Sequence, residues 1–275
     1  MRVEIVERVP LLALAETMQT EGYRILAFDN FHNVEPSERE MFAQAMEVLS
    51  DSAAETGDVK MVIIGIAEDA VSLVGGSGSV RRRTTEIGIP RMPDDEIASI
   101  FINGFRLLHL EVEDNARRDL VFYCDGFPYF AHLLGLAVAR DADRRGETWV
   151  TKTVIEAALA RVAKEVGASF PERVKLAFEA GGHVQPRRRI LRTMCLSPRR
   201  EWRSADLIED YGKLYDASGD PAFLHAALGE LVKPNRGSVL ARTGKEKHYV
   251  YRFRDPYMRP FLRMTHFQPV QTKLF

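Results

Sequence analysis

The sequence predicts an α/β protein: a core with a parallel sheet, then a helical region, then a C-terminal module of three helices and a β-hairpin. Three observations carry this. Apolar runs at 24–29 and 59–66 flank a stretch of helical period, as buried parallel strands flank a crossover helix. From about 93 to 180 the helical period dominates. Beyond 186, three helical stretches give way to two alternating runs around the turn Thr243-Gly244-Lys245, the pattern of a hairpin.

The elements follow in chain order. Residues 2–8 alternate as a short strand, and Pro10 opens a helical stretch to about Thr20 with Leu11, Leu14, Ala15 and Met18 on one face. Gly22 breaks it before the strand Arg24-Ile25-Leu26-Ala27-Phe28-Asp29. Ser37 and Glu40 have capping-box spacing. Met41, Ala45, Met46 and Leu49 then mark the buried stripe of a helix ending near Gly57. The second strand, Val59 to Ile66, leads into Ala67-Glu68-Asp69 and a short helix. Gly75-Gly76-Ser77-Gly78-Ser79 reads as a mobile linker before Arg81-Arg82-Arg83, and 85–89 reads as another short strand. Pro93 opens a helix to about Leu110. Further helices break at Gly126-Phe127-Pro128, Gly146, Gly167 and Pro171. After a linker, Ala180 to Pro186, helices fall near 187–196, 204–215 and 220–232, with strands at 239–242 and 249–253.

Composition narrows the function classes. A chain of 275 residues that is 45% hydrophobic can bury a sizeable core. Its apolar runs fall short of the roughly 20 residues a membrane span needs, so no membrane partner is expected. The acidic start Arg2-Val3-Glu4-Ile5-Val6-Glu7 does not suit a signal peptide, and a cytoplasmic location is the default. Cys124 and Cys195 are the only cysteines, which argues against a disulfide framework or thiolate zinc cluster. The net charge of −1 hides a segregation: residues 181–275 hold 18 Lys+Arg against 9 Asp+Glu. A basic C-terminal module suits a polyanionic partner, and a solvated basic surface is the plain alternative.

The chemistry begins at Asp29, at the end of an apolar strand. This is the form of a Walker B segment, whose last carboxylate holds Mg²⁺ beside a nucleotide's phosphates, directly or through water. A strand-end Asp capping a turn would look the same. No G-x-x-x-x-G-K-[ST] phosphate loop occurs in the sequence. His32, His109, His132 and His183 show no metal-ligand spacing, and no G-x-S-x-G, H-E-x-x-H or C-x-x-C motif is present.

Taken in order, the strand ending at Asp29, the strand at 60–66, Ser79-Val80-Arg81-Arg82-Arg83 and Gly126-Phe127-Pro128 resemble the second half of an AAA+ ATPase module. The likeness is to the STAND and origin-recognition-type branches. It implies a partial αβα P-loop core with a parallel sheet over 1–92, a helical lid over 93–182 and a C-terminal winged helix over 187–265. It also implies ATP and Mg²⁺ as cofactors, both bound weakly or not at all without a Walker A segment. Asp29 would be the Mg²⁺-associated carboxylate, and Asn30 would stand where the family usually has a water-orienting Glu. Glu68 would be nearest the first sensor, and its plain alternative is a helix-start carboxylate. Arg82 would be the arginine finger, reaching a neighbouring copy in a homo-oligomer. Tyr129 stands where many members carry a second sensor Arg, so Phe127, Tyr129 and Phe130 are expected to pack instead. The resemblance further implies strand order 5-1-4-3-2, with the phosphate-loop strand missing from between the strands at 60–66 and 85–89. The expectation is a chain cut short at its N-terminus.

In the C-terminal module, Arg242, Lys245, Lys247 and Arg252 suit phosphate contacts. The helix in the reading position, Pro221 to Val232, has no Arg, Asn or Gln for base edges. Nonspecific DNA binding or protein docking is therefore expected there. The alternative to an ATP-dependent switch is a non-enzymatic adaptor or DNA-associated regulator that keeps the fold without the chemistry.

Overall fold

The structure is a computed structural model that describes residues 13, 17–51, 59–65, 73–75, 78–168, 170–179, 186–216, 221–245 and 248–269, without the side chains of 48, 221 and 222. It divides into two compact units, Met1–Ile89 and Pro90–Phe275. The expected strand at 2–8, the first part of the helix after Pro10 and Glu68 lie outside the described residues. The turn Thr17–Thr20 is helical, with the Thr17 hydroxyl donating to the Ala13 carbonyl at 2.8 Å.

In the first unit, β1 (Ile25–Phe28) and β2 (Lys60–Ile63) pair in parallel, Ile25 opposite Lys60 and Phe28 opposite Ile63. Between them runs α1 (Pro36–Asp51), the crossover that parallel strands require. Period-two alternation splits the pair into two faces. Leu26, Phe28, Met61 and Ile63 are half-buried, and Phe28 and Ile63 join Phe42, Met46 and Val80 around the buried Phe31. Val80 comes from α2 (Gly78–Arg83). On the opposite face Ile25 is 63% exposed and Val62 40%. Among the described residues neither strand has a second strand neighbour.

Several local expectations are corrected here. Residues 84–93 hold no strand, and Ile87 and Ile89 are 82% and 89% exposed: a β-branched run becomes a strand only when a neighbouring edge pairs with it. Gly78 and Ser79 open α2 instead of belonging to a linker, and Arg81–Arg83 form its last turn. Met41 is exposed and Ala43 is buried in its place, beside the expected Ala45 and Leu49. Ser37 lies inside the first turn of α1, where Glu35 accepts the N–H groups of Glu38 and Arg39, so no capping box sets that start.

The second unit is a helical body with one continuous core from Ile97 to Phe267. It begins with α3 (Asp94–Leu107), α4 (Asp114–Cys124), α5 (Pro128–Arg145), α6 (Lys152–Val166) and α7 (Phe170–Phe178). Two short strands unread in the sequence, β3 (Glu111–Val112) and β4 (Trp149–Val150), pair in parallel. The α4–α5 turn needs glycine. Gly126 has φ of +74°, and a Cβ there would stand 2.8 Å from the Met92 carbonyl oxygen and 2.9 Å from Arg91 Cβ.

The chain continues through α8 (Pro186–Leu196), β5 (Trp202–Arg203), α9 (Ser204–Tyr215), α10 (Pro221–Leu231), β6 (Leu240–Thr243) and β7 (Val250–Phe253). The three helices and the hairpin lie where the sequence put them. The addition is β5, which pairs antiparallel with β7 and makes the sheet three-stranded in the order β5-β7-β6. Buried Asp210 fixes that corner by accepting the Ser197 hydroxyl at 2.6 Å and the Trp202 indole N–H at 3.1 Å. A final helix, α11 (Met258–Thr265), packs on α4, α6 and α8 and is buried along most of its length. Among the described residues no helix is long and apolar enough to cross a membrane.

Candidate functional site

The C-terminal ends of parallel strands are where α/β sheets place ligands. Here that tip carries Asp29 and Asn30, both exposed, directly after β1. Asn30 adopts the left-handed conformation, φ 55° and ψ 32°, which Asn tolerates better than most residues. The turn is held by the Asn30 N–H donating to Asp29 Oδ1 at 2.7 Å. The Phe31 N–H then donates to the Ile64 carbonyl at 3.0 Å, and Ile64 N–H to Phe28 at 2.8 Å, so the ladder continues past Asp29. The buried Phe31 ring packs edge-on to Phe42 at 4.9 Å and fixes the direction of the loop. Asp29 thus stands as a strand-end carboxylate whose Oδ2 has no hydrogen-bond partner among the described residues. That donor fits a hard cation completed by phosphate oxygens and water, since Mg²⁺ commonly takes one or two protein carboxylates. Among the described residues no group of three or more His, Cys, Asp or Glu side chains could hold a metal alone.

Arg82 is exposed on α2 and has no hydrogen-bond or ion-pair partner among the described residues. Its neighbour Arg83 pairs with Asp51 at 2.9 Å instead. The aromatic residues after Gly126 pack as expected. Phe127, Tyr129 and Phe130 all contact the Tyr257 ring, with Tyr129 stacked on it at 5.7 Å.

The basic residues of the hairpin do not form one surface. Arg242 pairs with Tyr251 and Ala241 with Arg252, so strand alternation puts Arg242 and Arg252 on opposite faces. The Arg242 guanidinium lies over the Tyr249 ring at 4.2 Å, while Lys245 is exposed in the turn and Lys247 lies outside the described residues. Helix α10 turns Leu224, Ala227, Leu228 and Leu231 to the core, and its Glu230 binds Lys233 and Arg236.

One constellation escaped the sequence reading. Asp125, buried at the end of α4, is shared by three guanidinium groups. Arg91 Nη1 lies 3.1 Å from Oδ2, and Arg259 Nη1 and Arg263 Nη1 each lie 3.2 Å from Oδ1. Arg263 also donates to the Cys195 and Phe122 carbonyls at 2.8 and 2.6 Å. Arg91 also donates to the Asp125 carbonyl at 2.9 Å, and its guanidinium covers the Phe127 ring at 3.4 Å. Burial disfavours the charged guanidinium and pulls Arg91 down to about 10 and Arg263 to about 9, with Asp125 opposing both shifts. Burial also lowers Arg259. The partners are 34 to 138 positions apart, so no local spacing signals them.

No protein-family model matches the sequence, and no curated protein matches it. Similar solved structures include the RuvB Holliday junction branch migration motor of Thermotoga maritima, at 17% identity and TM-score 0.42, covering 87% of this chain and 71% of that one. Cdc6p of Pyrobaculum aerophilum is similar at 14% identity and TM-score 0.41, covering 92% and 69%. ORC2 of Aeropyrum pernix, solved in ADPNP-ADP complexes, is similar at 15% identity and TM-score 0.43, covering 96% and 68%.

Proposed function

We propose that the chain is the carboxylate-bearing part of an AAA+/STAND-like, ATP-dependent switch. The observation that carries the proposal is Asp29 at the C-terminal tip of a parallel pair that, among the described residues, has no third strand. In this reading the open side of β2 is where a phosphate-loop strand belongs. Asp29 would hold Mg²⁺, which would supply charge neutralisation at the phosphates of ATP. Asn30 would orient water through its amide. An amide cannot take a proton as a carboxylate does, so hydrolysis is slow, by about 10²–10⁴-fold. Arg82, exposed and without an ion-pair partner among the described residues, would reach the nucleotide of a neighbouring copy. Residues 93–182 would serve as the lid and 187–265 as a winged helix.

The test is equilibrium ATP binding with Mg²⁺ and with EDTA, on the chain and on Asp29→Ala. The expected dissociation constant is about 1 mM or weaker, corresponding to about −4 kcal/mol, with any Mg²⁺ dependence lost in the variant. Tight, Mg²⁺-independent binding that Asp29→Ala leaves unchanged would overturn the proposal.

A second reading is favoured by Asn30 and by Tyr129 packed on Tyr257: an adaptor or DNA-associated regulator without nucleotide chemistry. It is supported if the chain binds duplex DNA irrespective of sequence while ATP and Mg²⁺ change nothing. Absence of DNA binding at low salt removes its nucleic-acid form.

A further inference from the structure

A cleft of about 580 Å³ opens in the second unit between the start of α3, the length of α4, the end of α8 and the buried face of α11. Its lining includes Arg117, Arg118, Arg200, Arg259 and Arg263, against the acids Asp94, Asp95 and Asp125. The charge is unevenly placed. Asp94 and Asp95 are exposed on the rim, whereas the deep end has one carboxylate, Asp125, already shared by Arg91, Arg259 and Arg263.

A purely structural role explains only part of this cluster. Asp125 and the backbone carbonyls occupy Arg263 and Arg91. Arg259 is different: it is 3% exposed, donates through Nη2 to the Ser197 carbonyl, and among the described residues has no hydrogen-bond partner for Nε or Nη1. Its Nη1 lies near Asp125 but outside hydrogen-bonding geometry. A guanidinium this deeply buried is costly unless its N–H groups are paired. Arg259 Nε, with neither a hydrogen bond nor a facing carboxylate among the described residues, is an unpaired buried donor beside a cleft of this size and marks a place for an acceptor that the protein does not supply. Arg200, exposed at the mouth near Gly126, brings a second positive charge.

We propose that this cleft binds a small phosphate-type oxyanion, with Arg259 donating from the floor and Arg200 closing from the rim. Charge-assisted hydrogen bonds from guanidinium groups are the strongest available to such an anion. The rim carboxylates Asp94 and Asp95 repel a long polyanion, so the occupant is a free oxyanion or a single phosphomonoester. The site lies wholly within residues 90–275 and stands or falls independently of the Asp29 reading.

The experiment is calorimetric titration of the full chain with inorganic phosphate, then with glycerol phosphate, against sodium chloride of matched ionic strength. Wild type, Arg200→Gln and Arg259→Lys are compared, and circular dichroism checks that each variant is folded. The expected result is saturable binding in wild type and a loss of about tenfold or more in each folded variant. Tighter binding of glycerol phosphate identifies an esterified ligand, and equal or weaker binding identifies the free ion. Arg200 sits at the surface, so Arg200→Gln keeps the test decisive if Arg259→Lys fails to fold. No saturable binding beyond the chloride control up to about 10 mM phosphate (weaker than about −3 kcal/mol) overturns the proposal, and so does binding that Arg200→Gln leaves unchanged.

Discussion

At the residue scale, the second unit depends on one carboxylate. Asp125→Asn would leave Arg91, Arg259 and Arg263 without their only shared counter-charge. Removing one side of a buried ionic cluster costs about 3–5 kcal/mol, and urea unfolding of the full chain should show that loss. A value below about 1 kcal/mol would mean the guanidinium groups are compensated elsewhere. The pH dependence has a definite sign. Burial disfavours the charge of Arg263 and pulls it down to about 9 in the folded chain, well below the usual arginine range. Between about 9 and that usual range the unfolded chain binds more protons, so stability rises with pH through the window. Wild type should therefore gain stability relative to Arg263→Met as pH climbs from about 9, a trend that matched unfolding curves would reveal. The place of Asp29 at a strand end was legible in the sequence because an apolar run closed by a carboxylate is a local signal. Asp125 was not, since it follows an ordinary helix and its partners come from positions 91, 259 and 263.

At the element scale, the parallel pair β1–β2 was read correctly because each strand is a compact apolar run and the helix between them carries its own period. The strand at 85–89 was misread because local alternation is only half of a strand; the other half is an edge to pair with, and Ile87 and Ile89 find none. The two faces of the pair should respond oppositely to substitution. Phe31→Ala removes a buried ring packed on Phe42 and should cost about 3–5 kcal/mol in the first unit. Val62→Glu, on the uncovered face, should change stability by no more than about 0.5 kcal/mol. A large loss from Val62→Glu would show that this face is covered after all. The hairpin and its three helices were legible from periodicity, whereas β3, β4 and β5 have only two residues each and offer no periodic signal.

At the scale of the whole molecule, charge is segregated along the chain. The basic stretch 181–275 lies within the larger unit, while the carboxylate tip belongs to the smaller one. If Arg242, Lys245 and Arg252 each neutralised one phosphate, the salt dependence of DNA binding would have a log–log slope of about −2.7. Because Arg242 and Arg252 stand on opposite faces of the hairpin, a shallower slope, about −2 or less, is the expected measurement. A slope steeper than −3 would require basic residues beyond the hairpin. The split into two units also explains why composition was a poor guide to function: a near-neutral total conceals one acidic and one basic region.

Whether Asp29 marks the nucleotide side of the β1–β2 pair is tested directly by paramagnetic relaxation. With Mn²⁺ and ATP added together to the full chain, the amide signals of Asp29, Asn30, Phe31 and Ile64 should broaden first. Asp29→Ala should abolish the effect. Broadening confined to residues 90–275, or unchanged in Asp29→Ala, would contradict the account.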